Sequence, residues 1–405
     1  MSESPAEAAD MSTAFNALSL LGGPLHRLGG RLGWVRAGTN TVVLGLVLGM
    51  GSWTILASLA IAEGFFDKLA SLSVVGVHVR LLVAIPLLFV CETILDPRVR
   101  LFAAGLVRAR VVPERAVSAL QVHIARTLRW KDAWLPEAAC LLVAVLWSAF
   151  GSGSHQYGAT AAADSSRLPA LSTLTGLWYW AVCLPLLRFL LLRWLWRLVA
   201  WCLFLWRLSR LELNLVTTHP DGAAGLGYLE SVHSQFFPLV LAISSIQAAA
   251  IAEGLAVGSM NFQGAFPALG LLITVQAVLV LGPLFIFTPK LWRARVDGLE
   301  RYMELASHYV NAFEAKWLGT GGNARPGAGD TEPEAEPLLG TPDLQSLADL
   351  GSAVNRVQEM RWAPFGMRLL TITLIATLAP VAPLLLFKYP LTELAQKFFA
   401  NLTGL

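Results

Sequence analysis

The chain has 405 residues, of which 55% are hydrophobic and only 14% are charged, and its formal net charge is +3 at pH 7. Soluble domains carry about a quarter of their residues as charged side chains. This composition, with a mean hydropathy of +0.59, therefore indicates an integral membrane protein whose first partner is the lipid bilayer. The basic residues are spread along the chain, which argues against nucleic acid as a partner.

The N-terminal segment, residues 1–40, has acids near its start and no basic region followed by an apolar stretch and a small-residue cleavage site. We therefore expect no signal peptide and a cytoplasmic N-terminus. The four cysteines lie in apolar runs without a CxxC pair or a zinc-type Cys/His spacing, so we interpret them as core residues. The sequence leaves the identity of any cofactor unknown.

Apolar runs long enough to cross the bilayer recur through the chain. A span needs about 20 apolar residues to cross about 30 Å of hydrocarbon. Seven runs qualify, at residues 41–62, 74–95, 134–150, 171–192, 236–256, 266–287 and 364–387. The predicted fold class is an all-α integral membrane protein with seven transmembrane helices.

Basic residues set the predicted orientation. Three precede span 1, eight lie between spans 2 and 3, and eight lie between spans 6 and 7. The segments after spans 1, 3 and 5 carry Lys68, Arg167 and no basic residue. The positive-inside rule then places the N-terminus in the cytoplasm and the C-terminal helix at the outer, periplasmic face.

The run RFLLLRWLWRLVAWCLFLWRLSR, which starts at Arg188, is apolar beyond the end of span 4. An eighth span here would move the eight basic residues of the last large loop outside, so the run is predicted to continue span 4 along the inner interface. Arg188, Arg193 and Arg197 would then extend to water at that interface. Their irregular spacing disfavours a voltage sensor.

The tetrapeptide IAEG occurs at Ile61 and again at Ile251, and the segments that follow run in parallel. LDPRVR and RTLRWKDAW in the first half match FTPKLWR and VQEMRWAPF in the second. We infer two three-span units, 41–170 and 236–405, joined by span 4 and its extension at 171–235, in a 3+1+3 arrangement. GLVLG at Gly45 and GLAVG at Gly254 fit the small-xxx-small pattern of close helix packing.

A heptad pattern over residues 290–318 predicts that span 6 continues as a helix beyond the membrane. A second helix follows the N-cap candidate Thr341, and the Gly-, Pro- and acid-rich linker 319–341 between them is predicted to be disordered. The two helices would pair within one chain or between chains, in a cytoplasmic bundle that assembles a homo-oligomer or recruits a protein partner. The apolar positions are Trp292, Val296, Leu299, Met303, Ala306, Val310, Phe313 and Trp317, then Leu347, Leu350, Val354 and Val357.

The repeated acids Glu63 and Glu253 end their helices, where the helix macrodipole disfavours negative charge. In the first unit Arg80 is expected to pair with Glu63 or with Asp67, beside His78. The second unit has no basic residue before Lys290. Glu253 is therefore the better candidate for a cation or proton site, with Gln247 and Gln276 as further ligands. The alternative is that both acids reach external water from their helix ends.

The segment NLVTTHPDGAAGLGYLESVHSQF, from Asn214, concentrates residues with special roles. His219, Asp221, Glu230 and His233 are candidate metal ligands, and free amides after the turn would suit an anion. The alternative is a structural turn in which Asp221 caps the following helix. The segment lacks the lysine and spacing of a Walker loop.

This segment, from Leu208, and HVRLLVAIPLLFVCETILDPRVR, from His78, resemble a family of uncharacterised bacterial inner-membrane proteins. The resemblance covers most of the chain and implies an inner-membrane location and a role for the HPDGAAGLG turn, but no activity. The leading functional hypothesis is a transport protein or channel for a cation. The alternatives are a membrane scaffold or sensor and, less favoured, an enzyme, since no nucleophile and base are recognisable.

Overall fold

A computed structural model describes residues 18–35, 40–156, 173–317 and 342–387. All regular elements in these ranges are helices, and besides the one-turn helix Phe66–Leu69 we number ten. They are α1 Pro24–Arg31, α2 Val42–Ala62, α3 Leu72–Arg108, α4 Glu114–Asp132, α5 Trp134–Gln156, α6 Leu174–Arg210, α7 Tyr228–Ala256, α8 Ala265–Trp317, α9 Pro342–Gln358 and α10 Met367–Leu378. A short 3₁₀ segment, Ala382–Phe387, follows α10.

Five helices, α2, α3, α6, α7 and α8, are long and apolar enough to cross a membrane. A sixth span results if α4 and α5, which meet at a bend of 41°, are counted together. The protein is therefore all-helical with five or six candidate spans. The expected seventh, residues 364–387, contains only the 12-residue α10 and the 3₁₀ segment, so the seven-span count stays a prediction. The predicted disordered linker and C-terminal helix lie outside the described residues.

Helix α6 is a single helix of 37 residues. It continues through the apolar run that starts at Arg188, which confirms that this run extends span 4. At 1.5 Å per residue it is about 55 Å long, which exceeds the hydrocarbon thickness. It packs on α4 and α5. Its fully buried Trp201 contacts Phe102 of α3 and His233 of α7. Two of the tryptophans in its second half, Trp194 and Trp201, are core residues.

Three spans depart from α geometry next to a proline. Helix α3 is π-helical over Val79–Ala84, shortly before Pro86, and α6 is π-helical over Tyr179–Cys183, shortly before Pro185. Helix α8 is 3₁₀ over Gly282–Phe287, around Pro283. The local sequences VAIPL, VCLPL and VLGPL are alike. Proline lacks an N–H and its ring crowds the preceding turn, which explains the recurring distortion.

Helix α2 packs on α3 through the small residues of GLVLG. A Cβ added at Gly45 would lie 2.7 Å from the Phe89 Cβ, and one at Gly49 would overlap the carbonyl oxygen of Leu81. Only glycine allows this approach, so the motif mediates packing within the chain. The GLAVG copy does not: a Cβ at Gly258 would meet nothing within 4 Å, and this glycine adopts φ +74° where α7 ends.

The part of α8 beyond the 3₁₀ segment, Thr288–Trp317, pairs with α9 of the same chain. The Tyr309 hydroxyl donates to the Asp343 carbonyl at 3.0 Å, and Lys316 pairs with the Asp343 carboxylate at 2.7 Å. Helix α9 turns the predicted face inward, with Val354 and Val357 buried. On α8 only part of the predicted seam is covered, because α9 lies to one side. Trp292, Val296, Met303 and Val310 remain 37–54% exposed.

Candidate functional site

Contacts between helix ends define two sides of the bundle. At one side, called outer, Glu63 meets the start of α6 and Glu253 meets the start of α3. At the other, called inner, the Asn214 amide donates to the Val111 carbonyl at 2.7 Å, which joins the segments after α6 and α3. Charge distribution predicts that this inner side is cytoplasmic.

The outer cluster contains Arg80, Tyr179 and Glu253, from three different spans. An Arg80 Nη1–H donates to the Tyr179 hydroxyl oxygen at 2.6 Å, and Nη2 lies 3.7 Å from the Glu253 carboxylate. The Gly76 amide donates to the other Glu253 oxygen at 2.7 Å. Arg80 lies in the π-helical segment of α3, and Tyr179 begins that of α6. The two distorted segments are therefore joined by one hydrogen bond.

The expected partner of Arg80 was wrong, because Arg80 pairs with Glu253 of α7 and not with Glu63 or Asp67. Glu253 is thus compensated, contrary to expectation. The sequence does not predict this pair, because Arg80 and Glu253 are 173 positions apart in the chain. Neighbouring spans, and not neighbouring sequence, decide the contact.

Glu63 caps the outer end of α6. Its carboxylate accepts hydrogen bonds from the Leu174 amide at 2.7 Å, the Thr175 amide at 3.1 Å and the Thr175 hydroxyl at 2.6 Å. The Thr175 hydroxyl, and then the two amides, hold the pKa of Glu63 below its ordinary value against the opposing effect of desolvation. Both IAEG acids therefore accept backbone amides near the start of a neighbouring span. That positive helix end offsets the unfavourable dipole of their own helix.

The other predicted outer ligands are dispersed. His78 accepts a hydrogen bond from the Trp53 indole at 2.9 Å, and its Nε2 lies 2.8 Å from the Leu69 carbonyl, so it ties the outer turn to α2. Asp67 is exposed and Gln247 half-buried. Gln276 donates to the Val240 carbonyl at 3.2 Å, 13 residues or about 20 Å along α7 from Glu253. The expected grouping of Gln276 with Glu253 was wrong.

The inner cluster is a buried, charge-balanced network that sequence reasoning missed. Arg193 of α6 donates to Glu92 of α3 at 2.8 Å and to Glu137 of α5 at 2.7 Å. Arg197 also contacts Glu92, at 2.5 Å. The two acids and two arginines are at least 91% buried. The predicted extension of Arg193 and Arg197 to interfacial water was therefore wrong, because carboxylates on two neighbouring spans neutralise them inside the protein.

Arg188 behaves differently from these two arginines. It is half-buried, donates to the Ser148 hydroxyl at 2.8 Å and lies over the Trp147 ring. A sequence signal for the network did exist: Glu92, Glu137 and Arg193 each interrupt an apolar run. Intramembrane charges usually pair with one another, and three of them on different spans predict a shared site.

The N-terminal segment before and within α1 covers the inner cluster. The Gly22 carbonyl accepts hydrogen bonds from Arg193 at 3.2 Å and Arg197 at 3.4 Å, and the Leu25 amide donates to Glu137 at 3.1 Å. A Cβ added at Gly23 would collide with the Glu137 carboxylate. The glycines of LLGGP therefore allow a backbone to lie directly on buried charges.

The HPDGAAGLG turn is organised around Asp221. Its carboxylate accepts hydrogen bonds from the amides of Ala223 at 2.8 Å, Gly225 at 3.2 Å and Gly227 at 2.8 Å. Burial opposes ionisation, but these amides and the nearby His219 hold the pKa of Asp221 below its ordinary value. The amides predicted as a possible anion site are thus already occupied by a side chain of the turn itself.

The other candidate ligands of this segment have separate partners. Glu230 pairs with Arg361 at 2.7 Å, and the same guanidinium donates to the Asp221 carbonyl at 2.6 Å, which fixes the turn against the segment before α10. His233 lies apart, fully buried between the Trp201 indole and the Val280 carbonyl. No group of three or more potential metal ligands occurs among the described residues. The structural alternative describes this turn better than the metal site.

The observed class is an all-helical protein with five or six candidate membrane spans and two clusters of charged residues between them. No family model matches the chain, and neither does any curated protein or solved structure. The resemblance to bacterial inner-membrane proteins stays a prediction.

Proposed function

We propose that the protein is a membrane transport protein or channel with charged gates at both sides. The observation that carries this proposal is the pair of charge clusters on the same two spans. Helix α3 supplies Arg80 to the outer cluster and Glu92 to the inner one, and α6 supplies Tyr179 and Arg193. Charges inside a membrane are costly and mark ion and substrate pathways.

The spacing of the clusters suits two gates in series. Arg80 and Glu92 are 12 residues apart and Tyr179 and Arg193 are 14 apart, which corresponds to about 18 and 21 Å along their helices. These lengths are a large part of the hydrocarbon thickness of about 30 Å. Both sets of ion pairs are formed. Under this proposal, both gates are closed when these pairs are formed.

The gates would open by bending of the spans at their distorted segments. The π-helical segments of α3 and α6 adjoin the outer cluster, and α8 is distorted at the equivalent proline. Proline-interrupted helices in corresponding positions of two halves are typical of transporter binding sites. Bending at these segments would separate Arg80 from Glu253 without unfolding either span.

A cation or proton is the proposed cargo, and two carboxylates would receive it. Glu253 becomes available when Arg80 moves away. Glu92 Oε2 is buried and accepts no hydrogen bond within the part of the chain that the structure describes, because both arginines contact Oε1. A buried carboxylate oxygen without a donor is a natural position for a proton or a small cation.

The finer topology belongs to the same proposal. We infer seven spans in a 3+1+3 duplication, with the N-terminus cytoplasmic and the C-terminus periplasmic in a bacterial inner membrane. The equivalent capping roles of Glu63 and Glu253 support the duplication, and the prolines of α3 and α8 occupy matching positions in the two units. A homo-oligomer remains part of the proposal.

The test is ion flux into liposomes that contain the purified protein, measured for several cations and anions. Glu253→Gln should change the rate or selectivity of flux at least tenfold, because the outer gate loses its charge pair. The matched control is Glu63→Gln, the same acid in the same tetrapeptide, which caps α6 and has no arginine partner within the described ranges. It should leave selectivity unchanged.

A charge exchange separates gating from folding. Arg80→Glu with Glu253→Arg should restore part of the flux that either single substitution alters, since the ion pair is re-formed. Absence of selective flux in wild-type vesicles, with helical content intact, would contradict the transport proposal.

A scaffold or sensor is the second candidate, and the uncovered stripe of α8 favours it. Trp292, Val296, Met303 and Val310 expose apolar surface on a helix that continues beyond the membrane. Such a stripe suits a partner helix. Val296→Glu with Met303→Glu should abolish recruitment in a scaffold but leave flux intact in a transporter.

A further inference from the structure

A second polar region lies beside the inner cluster, where the N-terminal segment crosses α3 and the junction of α4 and α5. It is a cavity of about 450 Å³, within the range of small-molecule sites. Its lining includes Arg27, Arg100 and Lys131, with Asp132 as the only acid among the residues that line it. The formal charge of the lining is therefore +2, apart from His26, which also lines the cavity.

The three cations are held in place by contacts within the described part of the chain. Arg100 uses Nε–H on Asp96 at 2.8 Å, and the structure shows no further hydrogen bond from this guanidinium within the described ranges. Within the same ranges, the Arg27 guanidinium makes one long contact, 3.4 Å, to the Asp132 carbonyl. Lys131 is buried and donates to the Leu21 carbonyl, close to Asp132. A guanidinium carries five N–H groups in a fork that matches phosphate oxygens.

The backbone that forms the cavity wall is itself fixed. Asp96 is fully buried and accepts hydrogen bonds from the Ser19 hydroxyl at 2.5 Å and the Leu20 amide at 3.2 Å. With the Lys131 contact to Leu21, these bonds anchor the chain on both sides of the cavity. The cations are thus arranged before any ligand binds, which lowers the entropic cost of binding.

Apolar side chains next to these cations are exposed. Leu28 and Leu32, on and just after α1, are 53% and 50% exposed, and Trp134 and Leu135, just after Asp132, are 62% and 63% exposed. The latter two begin α5, which forms a candidate span with α4. A polar cavity of net positive charge with an apolar border at the end of spans matches the two ends of a phospholipid molecule.

From this combination we infer that the cavity binds a phosphate-bearing anion, and that an anionic phospholipid headgroup is its source. Arg27 and Arg100 contact the phosphate, and the acyl chains lie along Leu28 and Trp134. The bound headgroup joins α1 to α3, and so it holds the N-terminal segment over the inner cluster. This inference does not rest on the transport proposal.

The test uses native mass spectrometry of the full chain in detergent, with phosphatidylglycerol or the net-neutral phosphatidylcholine added. Wild type should retain phosphatidylglycerol at least tenfold better. Arg27→Gln with Arg100→Gln should remove that preference, at about fivefold for each cation lost. The matched control is Arg31→Gln with Arg108→Gln, which removes the same charge from exposed positions on the same two helices.

A second measurement identifies the source of the phosphate. Inorganic phosphate is compared with chloride at equal ionic strength, by thermal unfolding of wild type and of the single variant Arg27→Gln, whose exposed side chain is not needed for folding. Stabilisation of wild type by inorganic phosphate, without a lipid preference, would support the phosphate site but assign it to a soluble anion. Equal retention of both lipids together with no effect of phosphate would overturn the inference, as would equal losses in the two double variants.

Discussion

The glutamate of the repeated IAEG tetrapeptide has different partners in its two copies. Glu63 and Glu253 both end a span and both accept amides from the start of another span. Among the described residues, Glu253 also has a cation within reach, Arg80, because α7 lies against α3, whereas no basic side chain in these ranges pairs with Glu63. The capping role follows from helix electrostatics, whereas the ion pair depends on which span is adjacent.

Asp221 shows how a single carboxylate can organise a loop. Ala224, two residues beyond the HPDG turn, has φ +54°, and Gly222 and Gly225 also have positive φ. Three amides point at Asp221 in this conformation, and they offset the backbone strain. In the HPDGAAGLG sequence, Asp221 is thus the hydrogen-bond acceptor, and the small residues that follow it adopt left-handed backbone at three positions.

Replacing Asp221 tests this role through pH. In the native state the pKa of Asp221 is lowered, so its contribution to stability is complete above about 3.9, the ordinary value, and disappears as pH falls through the native pKa. Asp221→Asn should lower the free energy of unfolding by about 1–3 kcal/mol at neutral pH, since the side-chain amide nitrogen of asparagine then faces a backbone N–H donor.

The measurement is thermal unfolding in detergent between pH 2 and pH 7. The wild-type melting temperature should fall more steeply below about pH 4 than that of Asp221→Asn. Asp297→Asn, at an exposed position on α8, serves as the control. Parallel pH profiles for wild type and Asp221→Asn would contradict the role assigned to this carboxylate.

At the scale of elements, packing of α2 on α3 depends on where glycines fall. Gly45 and Gly51 belong to the same helix, but Gly45 faces Phe89 and a Cβ at Gly51 would meet nothing within 4 Å. The sequence places GLVLG here, and its pattern alone does not say whether a glycine faces a partner helix or lipid. The second copy, GLAVG, shows that the same pattern also ends a helix.

Alanine substitutions at Gly45 and Gly51 should have different effects on the free energy of unfolding. Gly45→Ala brings a methyl group to 2.7 Å from Phe89 and should lower the free energy of unfolding by about 1–3 kcal/mol. Gly51→Ala should be neutral or stabilising by up to about 1 kcal/mol, because alanine is the better helix former. Unfolding in detergent with increasing denaturant measures both. Equal stability of the two variants would show that α2 does not pack on α3 as described.

The prolines of α3, α6 and α8 belong to the same scale. Their local sequences could have been recognised as a repeat on every second span. Proline predicts a local departure from α geometry, but whether the result is π-helical or 3₁₀ depends on which neighbours satisfy the released carbonyls. In α8 the imidazole of His233 reaches the Val280 carbonyl at 2.7 Å, an interaction that only the packing of α7 on α8 provides.

At the scale of the molecule, the charge clusters at the two sides of the bundle join different sets of helices. The outer cluster joins α3, α6 and α7, and the inner cluster joins α3, α5 and α6 beneath the N-terminal segment. Helices α3 and α6 belong to both. Any movement of these two helices relative to each other is therefore coupled to charge pairs at both sides.

Cysteine labelling tests the predicted orientation of the whole molecule. Lys68→Cys lies in the exposed outer turn, and Ser352→Cys lies on the exposed face of α9 at the inner side. A membrane-impermeant maleimide should label the first variant in intact cells and the second only after permeabilisation. Wild type is the background control, because Cys91 and Cys183 are buried and Cys140 and Cys202 are partly buried. Labelling of both variants from one side would refute the alternation of spans.

Composition, apolar run length and periodicity determined much by themselves: the all-helical membrane class, the unbroken helix α6, and the inward face of α9. These features are local, because each follows from the residues of one segment and their solvent. The partners of Arg80, Glu92, Arg193 and Gln276 were decided only by tertiary structure, since buried polar groups pair with whichever span lies beside them. Sequence identifies a charge that needs a partner; only the arrangement of the helices selects that partner.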